Sequence, residues 1–393
     1  MRSCFRLLLI ALSLFAGSRA SAQLVGTDCF LQGRYVEVGI NQMGGFGTCT
    51  SPATYHPHVC CGTATAFTPG GNLDAVYDWG HDGWSVGSPQ LMGVYSIPGF
   101  PQEGWSVQVG ATEYRNGAWG GICTGAFAIP GGHTGYSNTG GTIKGFWNGN
   151  VAGLNIRMET RIDTEASWVV ITAVIRNTTA APIANIYYQR TLDPDNTSFW
   201  SGTPVTRNRI VHQNEDARHR VMVSANGETG ASGSTPAYNA TNSYLALGTK
   251  DCRARACVIS GLSPSTTPST LWTSIPSAPS GSVTLGATVG QNNYADQGIS
   301  LIYNLGTLAA FDSTIISYAY IYNGPGGIDS AFPDPQIVIN GVPKTSYAPP
   351  IPNYDTFQAC NSGLATIPVD FKFAEDKAWS WSKWTWSPGT GLA

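Results

Sequence analysis

Charge is what this sequence has least of. Asp, Glu, Lys and Arg make up only 11% of its 393 residues, against roughly 25% in ordinary soluble domains. Water-exposed helices carry such residues along their outer faces, so an architecture of solvated helices is excluded. The net charge of -3 supplies no basic field for a phosphate backbone, which excludes nucleic acid as a partner. Long apolar runs are missing too. The longest, Leu7 to Phe15, is well short of the roughly 20 residues a spanning helix needs, so no transmembrane segment is expected. Gly (47), Pro (24), Ser, Thr and aromatics (11%) stand where charge would be. Gly and Pro make turns, while Ser, Thr and Asn solvate sheets. With 42% hydrophobic residues there is ample material for a core, and disorder is excluded. The expectation is an all-β chain.

The first residues read as an export signal. Arg2 and Arg6 precede the apolar run, and Ala20-Ser21-Ala22 offers a small-x-small cleavage site before Gln23. Residues 1–22 are therefore expected to leave, placing the mature chain in a secreted or cell-surface setting. That chain keeps Cys29, Cys49, Cys60, Cys61, Cys123, Cys252, Cys257 and Cys360. An even number in an oxidising compartment suggests disulfides, though eight cysteines allow about 105 connectivities. Cys252 and Cys257 form the local pair expected to bond.

Strand patterns fill residues 23–330. LNIRMETRID (154–163) alternates apolar and polar residues, as a half-buried strand does. SWVVITAVIRN and IANIYYQRTLD follow, and the three read as an antiparallel meander. Turns are expected at Asn116-Gly117 and at Trp147-Asn148-Gly149-Asn150. Further strands are expected at 219–225, 243–249, 257–262, 283–289, 298–308 and 313–323. This spacing, with no helical period between, indicates a large antiparallel β-sandwich. Residues 331–356 are rich in Pro and Gly and read as a linker. Residues 357–393 alternate Trp with polar residues and stop abruptly, as if a second small β-domain were cut short, so the chain is expected to be an N-terminal fragment.

Trp384-Thr385-Trp386-Ser387-Pro388-Gly389-Thr390-Gly391-Leu392 and the preceding FQACNSGLATIP (357–368) resemble the PKD-like (Ig-like) repeats of large exported proteins of gliding bacteria. The segments Cys29 to Gly39, Phe100 to Trp105 and Ile186 to Asn196 resemble the N-terminal β-sandwich of the same class. The resemblance implies type IX secretion, cell-surface display and adhesion, and carries no catalytic site to transfer. The run from Val169 to Asn196 also resembles, in sheet pattern only, the supersandwich folds of carbohydrate-active proteins.

Few residues suggest chemistry. Gly83-Trp84-Ser85-Val86-Gly87 matches a nucleophile-elbow pattern but lacks the helix that motif needs. His56-Pro57-His58 with Cys60-Cys61 gathers metal-ligand types, although cysteines in an oxidising compartment more often form cystine. Two loops are rich in oxygen. Asp193, Asp195 and Asn196 follow a strand, and Asp74, Asp78 and Asp82 lie in DAVYDWGHDGW. Both are candidate Ca²⁺ loops, since hard cations take six to eight such oxygens, and an Asx-turn explains either one as simply. The expectation is a non-enzymatic exported surface module for adhesion or display. The alternative is a secreted carbohydrate-binding or carbohydrate-active domain taking a glycan ligand.

Overall fold

Alternation decides the architecture. Along residues 154–163 the burial pattern switches at nearly every step, because successive strand side chains point to opposite faces. The computed structural model describes residues 21–56, 72–78, 81, 83–84, 95, 103–118, 126–196, 204–216, 218–227, 243–260 and 266–333, and three strands beyond them.

The first strands are β1 (Ser21–Val25), β2 (Asp28–Gln32), β3 (Val36–Ile40) and β4 (Ala75–Tyr77), which form a four-stranded sheet in that order. Next come β5 (Glu103–Val109), β6 (Thr112–Ala118), β7 (Ala126–Phe127), β8 (Gly131–Thr139), β9 (Thr142–Val151), β10 (Leu154–Asp163), β11 (Trp168–Asn177) and β12 (Ile183–Leu192). After them lie β13 (Thr206–Gln213), β14 (Val221–Gly227), β15 (Tyr244–Thr249), β16 (Ala254–Ile259), β17 (Val283–Leu285), β18 (Asn292–Ala295), β19 (Gly298–Leu308) and β20 (Ser313–Ile321). Two large antiparallel sheets result. One has nine strands, ordered β18-β13-β14-β15-β20-β11-β10-β9-β8; the other has seven, ordered β17-β16-β19-β12-β5-β6-β7. Alternate residues from both supply one shared core, including Trp105, Tyr188, Leu301, Ile156, Ile171 and Tyr318. The all-β sandwich expectation holds.

Two short helices cap the outer faces. α1 (Pro268–Ser274) opens on a proline, which fits a first helical position, and packs Leu271 with Ile259 and Ile302 of the seven-stranded sheet. α2 (Gly327–Ala331) sets Ile328 against Val170, Ala319 and Ile321 of the nine-stranded sheet. No helix among the described residues is long and apolar enough to cross a membrane.

Several local expectations are corrected. β12 does not complete a meander beside β11; it crosses to the other sheet and pairs with β19 and β5. Asn116-Gly117 lies inside β6 and Asn148-Gly149 inside β9. Asn116 is fully buried, its amide donating to Met43 O (3.1 Å) and Ile129 O (2.9 Å), so it serves the core rather than a turn. The β9–β10 turn falls instead on Ala152 and Gly153, both at positive φ. The strand expected over 283–289 stops at Leu285. Within the expected linker, β21 (Gln336–Ile339) pairs with β22 (Val342–Lys344) on one side and with β23 (Val369–Lys372) on the other.

The Cys252–Cys257 disulfide is also corrected: both are free thiols, as is Cys29. Cys257 lies within β16, buried under α1, while Cys252 sits in the exposed turn before the strand. The strand steps from Ala254 to Cys257 alone span about 10 Å, whereas a disulfide tolerates a Cα separation of about 7 Å. Cys29 instead faces Gly145, so closely that a Cβ there would meet its sulfur at 2.8 Å. Cys49 is disulfide-bonded.

Candidate functional site

The pairing of β12 with β19 builds an acidic corner. Leu192 lies opposite Ile299, and continuing that register three residues sets Asp195 opposite Asp296. One carboxylate oxygen from each of Asp193, Asp195 and Asp296 lies within 4.8 Å of the others. The corner joins the sheets, because Asp296 sits between β18 of the nine-stranded sheet and β19 of the seven-stranded one. Asn196 ties the same loop down, donating to Ala225 O at 2.8 Å and Ser243 O at 2.9 Å.

These acids are badly matched to their surroundings. Asp193 is 3% exposed, and its Oδ1, like that of Asp195, is buried without a hydrogen-bond partner. Burial first, then the charges of Asp195 and Asp296, drives the Asp193 carboxyl far above the usual range. Asp195 is raised by burial and then by Asp296, and Asp296 by burial. The sequence marks Asp193, Asp195 and Asn196 as candidates and gives no sign of Asp296, about a hundred positions away in an ordinary-looking turn. Only the strand pairing reveals it.

Of the second candidate loop, two of the three acids lie among the described residues. Asp74 and Asp78 flank β4, so four strand steps, about 13 Å, separate them. Asp78 Oδ2 instead accepts the Gly83 and Trp84 N–H groups, each at 3.1 Å. Asp82 lies outside the described residues, as do Ser85 to Gly87 of the elbow motif and His58, Cys60 and Cys61 of the histidine–cysteine loop. His56 is taken by Glu37, which accepts from its backbone N–H at 2.7 Å and meets its Nδ1 at 2.8 Å. Among the described residues one other acidic group gathers, His212, Glu215 and Asp216. There Arg220 Nη2 donates to Asp216 at 2.5 Å and His212 Nδ1 lies 2.6 Å from Glu215.

A different kind of site lies on the outer face of the seven-stranded sheet. Gly104, Ser106, Glu113, Arg115, Gln189 and Thr191 line a shallow depression with room for about one water molecule. Strand alternation puts them there: Trp105 and Tyr188 point inward, so Ser106 and Gln189 point out. Arg115 donates to Glu113 at 2.6 Å, and the Gln189 amide donates to Thr191 at 2.6 Å and Ser300 at 3.0 Å. The depression thus sets donors and acceptors side by side, with Ser106, Gln189 and Thr191 largely buried and the last two bonded to their neighbours.

No family model and no curated protein matches the chain. Among solved structures it is similar to a TPR-domain containing protein from Parabacteroides distasonis, at 9% identity and TM-score 0.38, covering 77% of this chain and 48% of that one. It is also similar to an active YidC insertase, at 10% identity and TM-score 0.29, covering 84% and 47%. A GH36 alpha-galactosidase from Geobacillus stearothermophilus shares 7% identity at TM-score 0.26, covering 80% and 42%. The chain spans less than half the length of each. Likeness at this level carries no functional argument.

Proposed function

We propose that this chain is a non-catalytic exported module that works at the cell surface by binding a polar, polyhydroxyl ligand such as a glycan. The carrying observation is the depression lined by Ser106, Glu113, Arg115, Gln189 and Thr191. Hydroxyl, amide, guanidinium and carboxylate groups converge there on a rigid sheet, and such alternating donors and acceptors suit sugar hydroxyls. Glu113 is bonded to Arg115, which suits it to holding a ligand rather than exchanging protons. Adhesion and display are the roles this binding serves in the class of surface proteins that the sequence resembles.

A glycan array probed with the mature chain tests the reading. Binding is expected, and Gln189→Ala should weaken it about 5- to 10-fold, as losing one hydrogen bond does. Failure to retain any glycan would overturn the ligand class. The second reading, a secreted carbohydrate-active enzyme, draws on the raised acids Asp193 and Asp195, since a neutral carboxyl near pH 7 is a ready proton donor. Turnover of any polysaccharide, abolished by Asp193→Asn, would replace the first reading with the second.

A further inference from the structure

We infer that Asp193, Asp195 and Asp296 form a Ca²⁺ site that fastens the two sheets together at the β12–β19 corner. The inference is independent of glycan binding, because the depression shares none of these residues.

Three observations carry it. The first is spacing. A Ca²⁺ ion takes oxygens at about 2.4 Å, so ligands on opposite sides of its shell are about 4.8 Å apart. Three carboxylate oxygens within 4.8 Å of one another are therefore spaced on the scale of ligands that share one such ion. The second is burial without partners. Asp193 is 3% exposed, and the Oδ1 atoms of Asp193 and Asp195 accept no hydrogen bond. A buried, unsatisfied carboxylate oxygen is costly, and a cation satisfies both its charge and its lone pairs. The third is isolation from positive charge. The buried Glu103 has Arg190 beside it as a cation, whereas no Lys, Arg or His among the described residues is ion-paired to this trio.

The chemistry of the donors selects the ion. All three are hard oxygens with no sulfur or imidazole in the group, which disfavours Zn²⁺ and Cu²⁺. Mg²⁺ wants a tighter octahedron near 2.1 Å and keeps most of its water. Loop carboxylates of mixed burial suit Ca²⁺, with water or backbone carbonyls completing the shell. The turn itself is prepared for this. Asp195 N–H donates to Asp193 O at 3.2 Å, and Asn196 anchors the loop to Ala225 and Ser243. Asp193 and Asp195 are therefore held beside each other by bonds that leave their carboxylates available.

The test uses the mature chain stripped with EDTA and titrated with CaCl₂ in a calorimeter, with thermal melts alongside. One ion per chain is expected, with a dissociation constant on the order of 0.1 mM, within the range of extracellular sites. At 10 mM CaCl₂ the folding equilibrium should then shift about 100-fold. Asp296→Asn should weaken Ca²⁺ binding at least 10-fold, yet melt no lower than the wild type in EDTA, since it removes a repelling charge. Asp195→Asn serves as a second variant and should behave alike, so a folding defect in one does not leave the question open. A wild type that gives neither heat nor a melting shift overturns the site. So does an undiminished Ca²⁺ response in both variants, and a response to MgCl₂ alone overturns calcium as the occupant. Glycan retention by the Asp296→Asn protein, measured on the same array, separates failure of this site from failure of the sheet-face reading.

Discussion

Two groups of buried acids in this molecule are handled in opposite ways. Glu103, 1% exposed, lies between the sheets and is matched on every side. Arg190 pairs with it, Tyr320 OH donates at 2.5 Å, and Phe46 N–H donates at 2.6 Å. Arg190 in turn donates from Nε to Tyr320 OH at 2.6 Å and lies over the Phe46 and Tyr320 rings. Burial leaves the Glu103 carboxyl raised, with Arg190, Tyr320 and Phe46 N–H offsetting part of the rise. An arginine keeps its proton wherever it sits, so Glu103 faces a permanent cation inside the core. Asp193, Asp195 and Asp296 have burial without that completion. The core group needs nothing from outside; the corner group needs a cation or protons.

The largest effect should come from breaking the complete pair. Arg190→Leu leaves Glu103 as an uncompensated buried charge, and such changes cost about 3–5 kcal/mol. Urea denaturation should register this as a lower midpoint. The double change Glu103→Leu with Arg190→Met should recover most of the loss, because apolar replacements of a buried pair are often neutral or better. If the single change proves harmless, the claim that the core group is a matched unit fails.

The corner group should show its incompleteness through pH. A carboxyl whose folded pKa is raised binds its proton more tightly in the folded state. Its favourable contribution is therefore fully present below the ordinary carboxylate value near 4, and is lost as pH rises through the raised folded values. In EDTA, melts at pH 5 and pH 8 should differ by on the order of 2 kcal/mol, with the higher pH less stable. Saturating CaCl₂ should flatten that slope. A metal-free protein equally stable at both values would mean the three carboxylates are compensated after all.

Much of the sandwich was legible from the sequence, and the reason is the period of two. LNIRMETRID alternates over its whole length, and so it lies half-buried in β10. GISLIYNLGTL carries enough β-branched and aromatic residues to mark β19 over 298–308. What misled were the Asn-Gly pairs. A local turn preference at Asn116 is outweighed when its amide makes three core hydrogen bonds, the third accepting the Ile129 N–H at 2.8 Å. The crossing of β12 to the second sheet was equally hidden, because periodicity reports which face is buried and not which strand lies alongside. For the same reason two thirds of the acidic trio could be read locally and one third could not. Asp193 and Asp195 stand together after a strand, whereas Asp296 joins them only through the pairing of Leu192 with Ile299.

The smallest effect, and the sharpest control, belongs to the surface group around Asp216. It too gathers acids, but Arg220 donates to Asp216 from both Nε (2.8 Å) and Nη2. Burial alone would raise the Asp216 carboxyl; the hydrogen bonds and charge of Arg220 outweigh it and hold it below the usual range. The sign of its pH dependence is therefore reversed. A depressed folded pKa contributes stability above the unfolded value near 3.9 and loses it as pH falls through the folded one. Asp216→Asn should cost about 0–1 kcal/mol at pH 7, as partly exposed pairs do, and the difference from wild type should shrink toward pH 2.5 and in 1 M NaCl. It should leave the Ca²⁺ response untouched. Melts of the two proteins across that pH range, with and without CaCl₂, decide it. A calcium-dependent loss in Asp216→Asn would show that proximity of acids, rather than the lack of a neighbouring cation, is what recruits the ion.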